Sequence, residues 1–303
     1  IDDPRGRLVE IRSLRLFVAV AEAGGFARAA QREHTVQSNV TAHIRKLESA
    51  LESELFDRSG RRVSLTPAGR QLMDYARRIL HLHDEAENRI AAAGEVAGPL
   101  RLGAMETAAA VRLPPMLRSF HAQWPSVSLS LNTGPTGDLV DAVLADELDA
   151  AFISGEPGDS RLDAHTVFAE ELVLVTDVDI QSLTPADHLR EHTLIAFRET
   201  CAYRRQMDAY LAAQGVAPRR ILEFGTLDGM LGCVSAGMGA TILPLATVQH
   251  HLSRYQLVAT ALPQEFARVT TSVIHRVGAD ARQPLKAFLE LVEEHATLSA
   301  AAA

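Results

Sequence analysis

One stretch of this 303-residue chain, from Phe26 to Arg62, constrains the fold more than any other. The alanine pair Ala29–Ala30 allows two helices to approach closely, and a turn is predicted at His34–Thr35. The helix after this turn has one apolar face, formed at helical spacing by Val40, Ile44, Leu47 and Leu51. Its opposite face is polar and partly basic, with Ser38, Asn39, Ala42, Arg45, Lys46 and Ser49. Such a pattern is typical of a helix-turn-helix, although an amphipathic hairpin with a solvated face fits it equally well.

The segment that follows favours the helix-turn-helix. After Leu55–Phe56, the residues from Asp57 to Arg62 combine turn formers with three arginines, and Val63–Leu65 alternate as in a β-strand. This pattern predicts a two-stranded wing whose arginines contact phosphates beside the DNA groove.

The chain from Leu14 to Gly69 resembles the winged helix-turn-helix domain of the LysR-type transcriptional regulators. The segments that carry the resemblance are LRLFVAVAEAGGFARAA, VQSNVTAHIRKLE, LFDR and LTPAGRQL. The resemblance implies that the partner is double-stranded promoter DNA, that RNA polymerase is a further candidate partner, and that the protein is not an enzyme. The expected DNA contacts are Arg28, Gln37, Ser38, Asn39, Thr41, His43, Arg45, Arg58, Arg61 and Arg62. The family usually has Ser-Arg where this chain has Thr41-Ala42, so one base-contacting arginine is missing.

A long helix is predicted from Pro67 to Ala93, because Thr66 fits an N-cap and Pro67 fits the first helical position. At ~1.5 Å per residue this helix would span about 40 Å. Its heptad seam consists of Leu72, Tyr75, Ile79, Leu82 and Ala86. The seam could pack on its own domain, but its length favours pairing with a second copy. The resemblance implies antiparallel dimerisation through this helix, and hence a homodimer or homotetramer.

Strands and helices alternate beyond Gly94–Pro99, which predicts an α/β domain with parallel sheets covered on their faces. Three segments resemble the two-lobed, periplasmic-binding-protein-like effector domain of the same family: GAMETAAAVRLPPMLRSFHAQWP, TGPTGDLVDAVLADELDAAF and SAGMGATILP. The expected organisation is a winged helix-turn-helix at 8–66, a linker and dimerisation helix at 67–94, lobe I at 97–168 with 268–297, and lobe II at 169–267.

Four strand-to-helix junctions are expected to meet in a cleft between the lobes, because ligands of α/β folds bind at the strand ends. In the family these junctions bind a small-molecule effector. The expected effector contacts are Met105, Glu106, Thr107, Pro135, Thr136, Ser154, Thr200, Cys201, Tyr203, Arg204, Thr226 and Met238. Helix N-termini and the guanidinium of Arg204 favour an anionic ligand, whereas Glu106 opposes one. Each threonine alone fits simple helix capping equally well.

Two alternative functions are disfavoured by the sequence. A peroxide-sensing regulator would use Cys201, which is predicted at a helix N-terminus beside Arg204 and Arg205, but Cys233 lies in the apolar run of a helix. An enzyme would need a nucleophile, phosphate or zinc motif, and none is present. His188 and His192 are four residues apart without a third ligand nearby, so we expect no metal and no cofactor.

The charge distribution suits a DNA-binding N-terminal part. Residues 1–93 hold 15 Lys/Arg and 13 Asp/Glu, a net charge of +2, and residues 94–303 hold 15 and 25, a net charge of −10. The total of −8 therefore does not exclude phosphate contacts at the helix-turn-helix. No apolar run approaches the roughly 18 residues of a membrane span, and the chain starts with polar residues. We therefore expect no membrane partner and a cytoplasmic location.

Overall fold

The structure is a computed structural model, and it describes residues 9–58, 63–91, 95–178, 180, 184–197 and 202–301. The chain divides into two compact units, Ile1–Glu95 and Val96–Ala303.

The first unit is a winged helix-turn-helix, as predicted. Its elements are helices α1 (Ile11–Ala23), α2 (Phe26–Arg32), α3 (Gln37–Leu51) and α4 (Pro67–Ala91), with antiparallel strands β1 (Phe56–Asp57) and β2 (Ser64–Leu65). Gly24 ends α1 in the left-handed region with φ 62°, and His34 turns the chain between α2 and α3 with φ 50°. At the start of α4, the Thr66 hydroxyl accepts the N–H of Gly69 at 3.0 Å, so Thr66 caps the helix.

The core of the first unit lies between its helices and the wing. Val40, Ile44 and Leu47 are buried, as their spacing predicts, whereas Leu51 at the end of α3 is 36% exposed and lies outside this core. A Cβ on Gly69 would come within 2.2 Å of the Leu55 carbonyl oxygen. Glycine therefore allows α4 to begin directly against the segment that leads into the wing.

The second unit is built from alternating strands and helices. Its strands are β3 (Gly98–Ala104), β4 (Val127–Thr133), β5 (Ala150–Ser154), β6 (Leu162–Thr176), β7 (Thr193–Ala196), β8 (Arg220–Glu223), β9 (Thr241–Pro244), β10 (Val258–Ala261) and β11 (Arg268–Arg276). Its helices are α5 (Glu106–Val111), α6 (Leu113–Gln123), α7 (Thr136–Leu144), α8 (Pro185–Glu191), α9 (Ala202–Ala213), α10 (Leu227–Ser235), α11 (Leu245–Val248), α12 (Leu252–Tyr255), α13 (Gln264–Ala267) and α14 (Gln283–Ala301), with a 3₁₀ turn at Ala279–Ala281.

The prediction of parallel sheets was only partly right. Strand β3 pairs in parallel with β4 and β5, and β7 pairs in parallel with β8. The long strand β6 instead pairs antiparallel with β11 along 162–171 and with β9 and β10 along 172–176. The sheet is mixed because β6 carries the chain from one lobe to the other and β11 brings it back in the opposite direction.

Several short elements between the main strands were not predicted. They are α8, α11, α12, β10 and α13, and most of them have only four residues. Runs this short show no clear periodicity, so their type cannot be read from an apolar pattern. The predicted break in the helix near Pro114–Pro115 is present, between α5 and α6, and both prolines lie in the first turn of α6, where no N–H needs an intrahelical partner.

Candidate DNA interface and ligand cleft

The exposed face of α3 keeps most of the side chains that the sequence predicts there. Exposed on it are Gln37, Ser38, Ala42, Arg45, Lys46 and Ser49. The amide of Asn39 instead donates to the Thr35 hydroxyl at 2.9 Å, within the turn before the helix. The Thr41 hydroxyl donates to the Gln37 carbonyl oxygen at 2.9 Å. Both side chains, expected to contact DNA, thus form hydrogen bonds within the motif.

His43 faces the interior of the first unit rather than the exposed face of α3. Its Nδ1 lies 3.0 Å from the hydroxyl oxygen of Ser13, which is buried in α1. The side chain of His43 is 23% exposed. The neighbouring Lys46 binds Glu10, and this hydrogen bond lowers the pKa of the Glu10 carboxyl. Since His43 follows Val40 by three residues, it shares the packed side of the helix.

The arginines expected at phosphates have different surroundings. Arg28 is exposed at the start of α2, with its Nη2 2.9 Å from the Gly24 carbonyl oxygen. Arg58 donates to Glu48 Oε2 at 2.8 Å and covers the ring of Phe26. Arg61 and Arg62, expected at the tip of the wing, lie outside the described residues.

The residues predicted to form the seam of α4 lie on two different faces of the helix, one exposed and one packed against the core. Tyr75, Ile79 and Leu82 are 55%, 41% and 59% exposed, and Ala86 is exposed beside them. Ile90, 84% exposed, continues this apolar stripe and was missed, although it follows Ala86 at helical spacing. Leu72 is different, because it packs against the core of the first unit beside the buried Met73 and Ala76.

A cavity of about 250 Å³ lies in the second unit, where the predicted strand ends meet. Its lining is formed by Met105, Glu106, Thr107, Thr133, Gly134, Pro135, Phe197, Tyr203, Phe224 and Gly225. The lining residues Thr133, Phe197 and Phe224 were not predicted. Each lies at or directly after the carboxyl end of a strand, and this position could have identified them.

Residues of the cavity lining form two long-range hydrogen bonds. The Thr107 hydroxyl donates to the hydroxyl oxygen of Tyr203 at 3.1 Å, and both residues are buried. Oε1 of Glu106 accepts the backbone N–H of Leu227 at 2.9 Å, at the start of α10. Each bond joins one residue of lobe I to one residue of lobe II, so the two bonds connect the lobes.

Arg204 does not line the cavity, in contrast to its predicted role. Its side chain is 6% exposed, and its Nε donates to both carboxylate oxygens of Asp208 at 3.0 and 3.1 Å. Nη1 lies 3.7 Å from Glu223 Oε1. Because Asp208 is one turn along the same helix, it holds the guanidinium against α9.

Other expected effector contacts also lie off the cavity lining. Met238 is 48% exposed in the turn before β9, whereas Ser154 and Thr136 are buried and are not among the lining residues. Thr226 immediately precedes α10. Thr200 and Cys201 lie outside the described residues.

Comparisons with known proteins agree with both units. A family model described as bacterial regulatory helix-turn-helix protein, lysR family, matches residues 11–70. A second, described as LysR substrate binding domain, matches residues 93–297. The chain belongs to the LysR family of transcriptional regulators. It is therefore a DNA-binding regulator and not an enzyme.

Individual LysR-family relatives match almost the full chain. The HTH-type transcriptional regulator GltR of Bacillus subtilis is 36% identical over 287 residues, which cover 95% of this chain and 97% of GltR. YofA of Bacillus velezensis is 41% identical over 268 residues, 88% of this chain and 92% of YofA. The crystal structure of full-length CbnR complexed with its target DNA has a TM-score of 0.66 at 26% identity and covers 94% of this chain and 99% of that chain.

The other residues of this LysR-family chain that could support redox or metal chemistry pack against, or bind, neighbouring protein groups. Cys233 packs at the edge of an apolar cluster around α10, which does not favour redox sensing. The rings of His188 and His192 stack at 3.9 Å, and burial, followed by the charge of His192, lowers the pKa of His188. In the described part of the chain, His83, Asp84 and Glu87 are the one group close enough together to share a metal ion, but Asp84 Oδ1 already binds Arg15 at 2.8 Å. No described helix is long and apolar enough to cross a membrane.

Proposed function

We propose that this regulator binds promoter DNA as a homo-oligomer through the exposed face of α3, and that a small molecule in the cavity of the second unit controls this binding. The observation that carries the proposal is the exposed face of α3. Gln37 and Ser38 present hydrogen-bond donors and acceptors there, on a helix held by a buried apolar face. Such side chains distinguish base pairs by their edges in the major groove.

The proposed set of DNA contacts is narrower than the sequence alone suggests. Gln37 and Ser38 are assigned to base edges, and Arg28 and Arg45 to phosphates. Arg61 and Arg62 remain predicted phosphate contacts. Asn39, Thr41 and His43 are left out, because their side chains already have partners in the turn, the helix backbone and α1. Ala42, where the family usually has arginine, offers only a methyl group, which could contact a thymine methyl.

The apolar stripe of α4 supports the proposed oligomer. Tyr75, Ile79, Leu82 and Ile90 expose large side chains along one side of this helix. Contiguous apolar surface of this kind marks an interaction site more often than a solvated face. A second copy of α4, as the family resemblance implies, would cover it.

We propose that the effector is small and largely apolar, and that it does not place an anionic group beside Glu106. Four of the cavity's side chains support this: Met105, Phe197, Tyr203 and Phe224 are aromatic or apolar. Glu106 is the one charged side chain among the described lining residues. Arg204, on which the expected anionic ligand depended, is bound to Asp208. The Thr107 hydroxyl, which donates to Tyr203, could donate to a polar group on the ligand instead.

Substitution of Gln37 tests the base-contacting role of α3. A DNA duplex can be selected by the wild-type protein from a random-sequence library and compared with a scrambled duplex. Gln37→Ala should weaken binding to the selected duplex by roughly 1–3 kcal/mol and should change binding to the scrambled duplex little. The matched control is Gln214→Ala, an exposed glutamine in the second unit, which should change neither affinity. If Gln37→Ala weakened binding to both duplexes equally, Gln37 would not recognise bases.

A further inference from the structure

Three elements of the DNA-binding unit meet at the side chain of Arg58. Its Nη2 donates to Glu48 Oε2 in α3 at 2.8 Å. Its guanidinium carbon lies 5.1 Å from the ring centroid of Phe26, the first residue of α2. Arg58 itself directly follows β1, the first strand of the wing. One side chain therefore connects the wing to both helices of the helix-turn-helix.

Glu48 holds the wing at a second point. Its Oε1 accepts the backbone N–H of Leu55 at 3.0 Å, so one carboxylate oxygen binds the residue before β1 and the other binds the residue after it. The side chain of Glu48 is 14% exposed, and that of Arg58 is 40% exposed. The ring of Phe26 also packs edge-on against Phe56, at 5.7 Å between centroids. The base of the wing is thus fixed by two hydrogen bonds and two ring contacts.

These contacts leave Arg58 poorly suited to a phosphate. The adjacent carboxylate compensates the charge of the guanidinium, whose Nη2 donates to Glu48 and whose plane covers the ring of Phe26. A phosphate would have to compete with an existing charged hydrogen bond. Arg45 differs, because it is exposed on α3 and forms no hydrogen bond or ion pair with the residues that the structure describes.

We infer that Arg58 and Glu48 are positioning residues: their ion pair sets the place of the wing relative to α3, and Arg58 is not itself a phosphate contact. The inference rests on the proposed function, since it takes α3 and the wing as the elements that bind DNA. A wing held in this way reaches the phosphates beside the same site that α3 contacts, so the pair acts on affinity without touching DNA.

The test uses the full chain, the selected duplex and a scrambled duplex, with affinity measured at several salt concentrations. Glu48→Gln keeps the size of the side chain and an oxygen for the Leu55 N–H, but removes the charge that binds Arg58. Arg58→Gln removes the same pair from the other side. Each variant should bind the selected duplex about 3- to 10-fold more weakly than the wild type. The double variant should bind it no more weakly than either single variant, because both substitutions remove the same interaction. The dependence of affinity on salt should stay as in the wild type.

Arg45→Ala is the matched control, and it should reduce the slope of log affinity against log salt by about one, as the loss of a phosphate contact does. The inference is overturned if Arg58→Gln also reduces this slope by one, or if Glu48→Gln, which removes a negative charge near DNA, strengthens binding. It is also overturned if the variants lower the melting temperature but leave affinity unchanged, since the pair would then serve only stability. A wild-type chain that selects no duplex would instead contradict the proposed function.

Discussion

Arg204 shows how an ion pair within the protein can keep a side chain out of a predicted binding site. Its position after the junction at Tyr203 places it near the strand ends, and a free guanidinium there would attract a carboxylate. Asp208, one turn later, and Glu223 bind it instead, and only 6% of its side chain remains exposed. Glu106 likewise binds the first N–H of α10, so one helix N-terminus at the cavity already has a negative partner.

At the residue scale, the prediction concerns the charge of the effector. Phenylacetate, 2-phenylethanol and phenethylamine have a similar apolar body and differ in charge, and each can be added to the wild-type protein in a thermal shift assay. Because Glu106 repels an anion and no described lining residue offers a cation, phenylacetate should raise the melting temperature least. Arg204→Gln should leave this order unchanged. If phenylacetate instead raises the melting temperature most, and Arg204→Gln abolishes the effect, the anionic effector first expected from the sequence would be right.

The same residues show what could be predicted from sequence. Strand-to-helix junctions indicated Met105, Thr107, Pro135 and Tyr203 at one cavity, because the carboxyl ends of parallel strands meet at one edge. The sequence could not indicate the partner of each side chain. The bonds of Thr107 to Tyr203 and of Glu106 to Leu227 join residues 96 and 121 positions apart.

Helix α4 is the element to which the proposed interface is assigned. Its heptad spacing predicted a seam, and Tyr75, Ile79 and Leu82 are exposed on it. Leu72 instead faces the core of the first unit, because it lies near the start of the helix, where the helix packs against its own domain. An interface test should therefore use Ile79 and Leu82 and avoid Leu72, whose substitution would also damage the fold.

At the element scale, Ile79→Asp with Leu82→Asp should convert the oligomer to a monomer. Two unpaired carboxylates in an apolar interface should weaken association by about 30-fold or more, given roughly 1–3 kcal/mol for each buried group without a partner. Light scattering after size-exclusion chromatography measures the mass. The control pair Ile79→Met with Leu82→Met keeps the apolar surface and should remain oligomeric. An Asp variant with unchanged mass would show that the stripe is not the interface.

Strand direction was harder to predict than helix position. Helices α1, α2 and α3 follow from local periodicity and from Gly24, which is close in sequence to the helix it ends. The antiparallel pairing of β6 with β11 joins strands separated by about 90 residues, and no local pattern specifies it. The alternation of strands and helices therefore predicted the α/β class but not the mixed sheet.

At the scale of the whole molecule, the excess of negative charge lies outside the N-terminal part that carries the helix-turn-helix. Residues 1–93 carry a net charge of +2 and residues 94–303 a net charge of −10, on a chain with −8 in total. An acidic protein of this kind gains little from nonspecific attraction to DNA. Its affinity for DNA should therefore depend strongly on base contacts by α3.

The ratio of two affinities of the full wild-type chain tests this account most directly. One affinity is for the duplex that the protein selects from a random-sequence library, and the other is for a scrambled duplex of the same length and composition. Both are measured by fluorescence anisotropy at the same salt concentration, because phosphate contacts make each affinity depend on salt. We predict that the selected duplex binds at least about 10³-fold more tightly, as sequence-specific regulators do. A ratio near one, or the failure to select any sequence, would contradict the conclusion that α3 recognises bases.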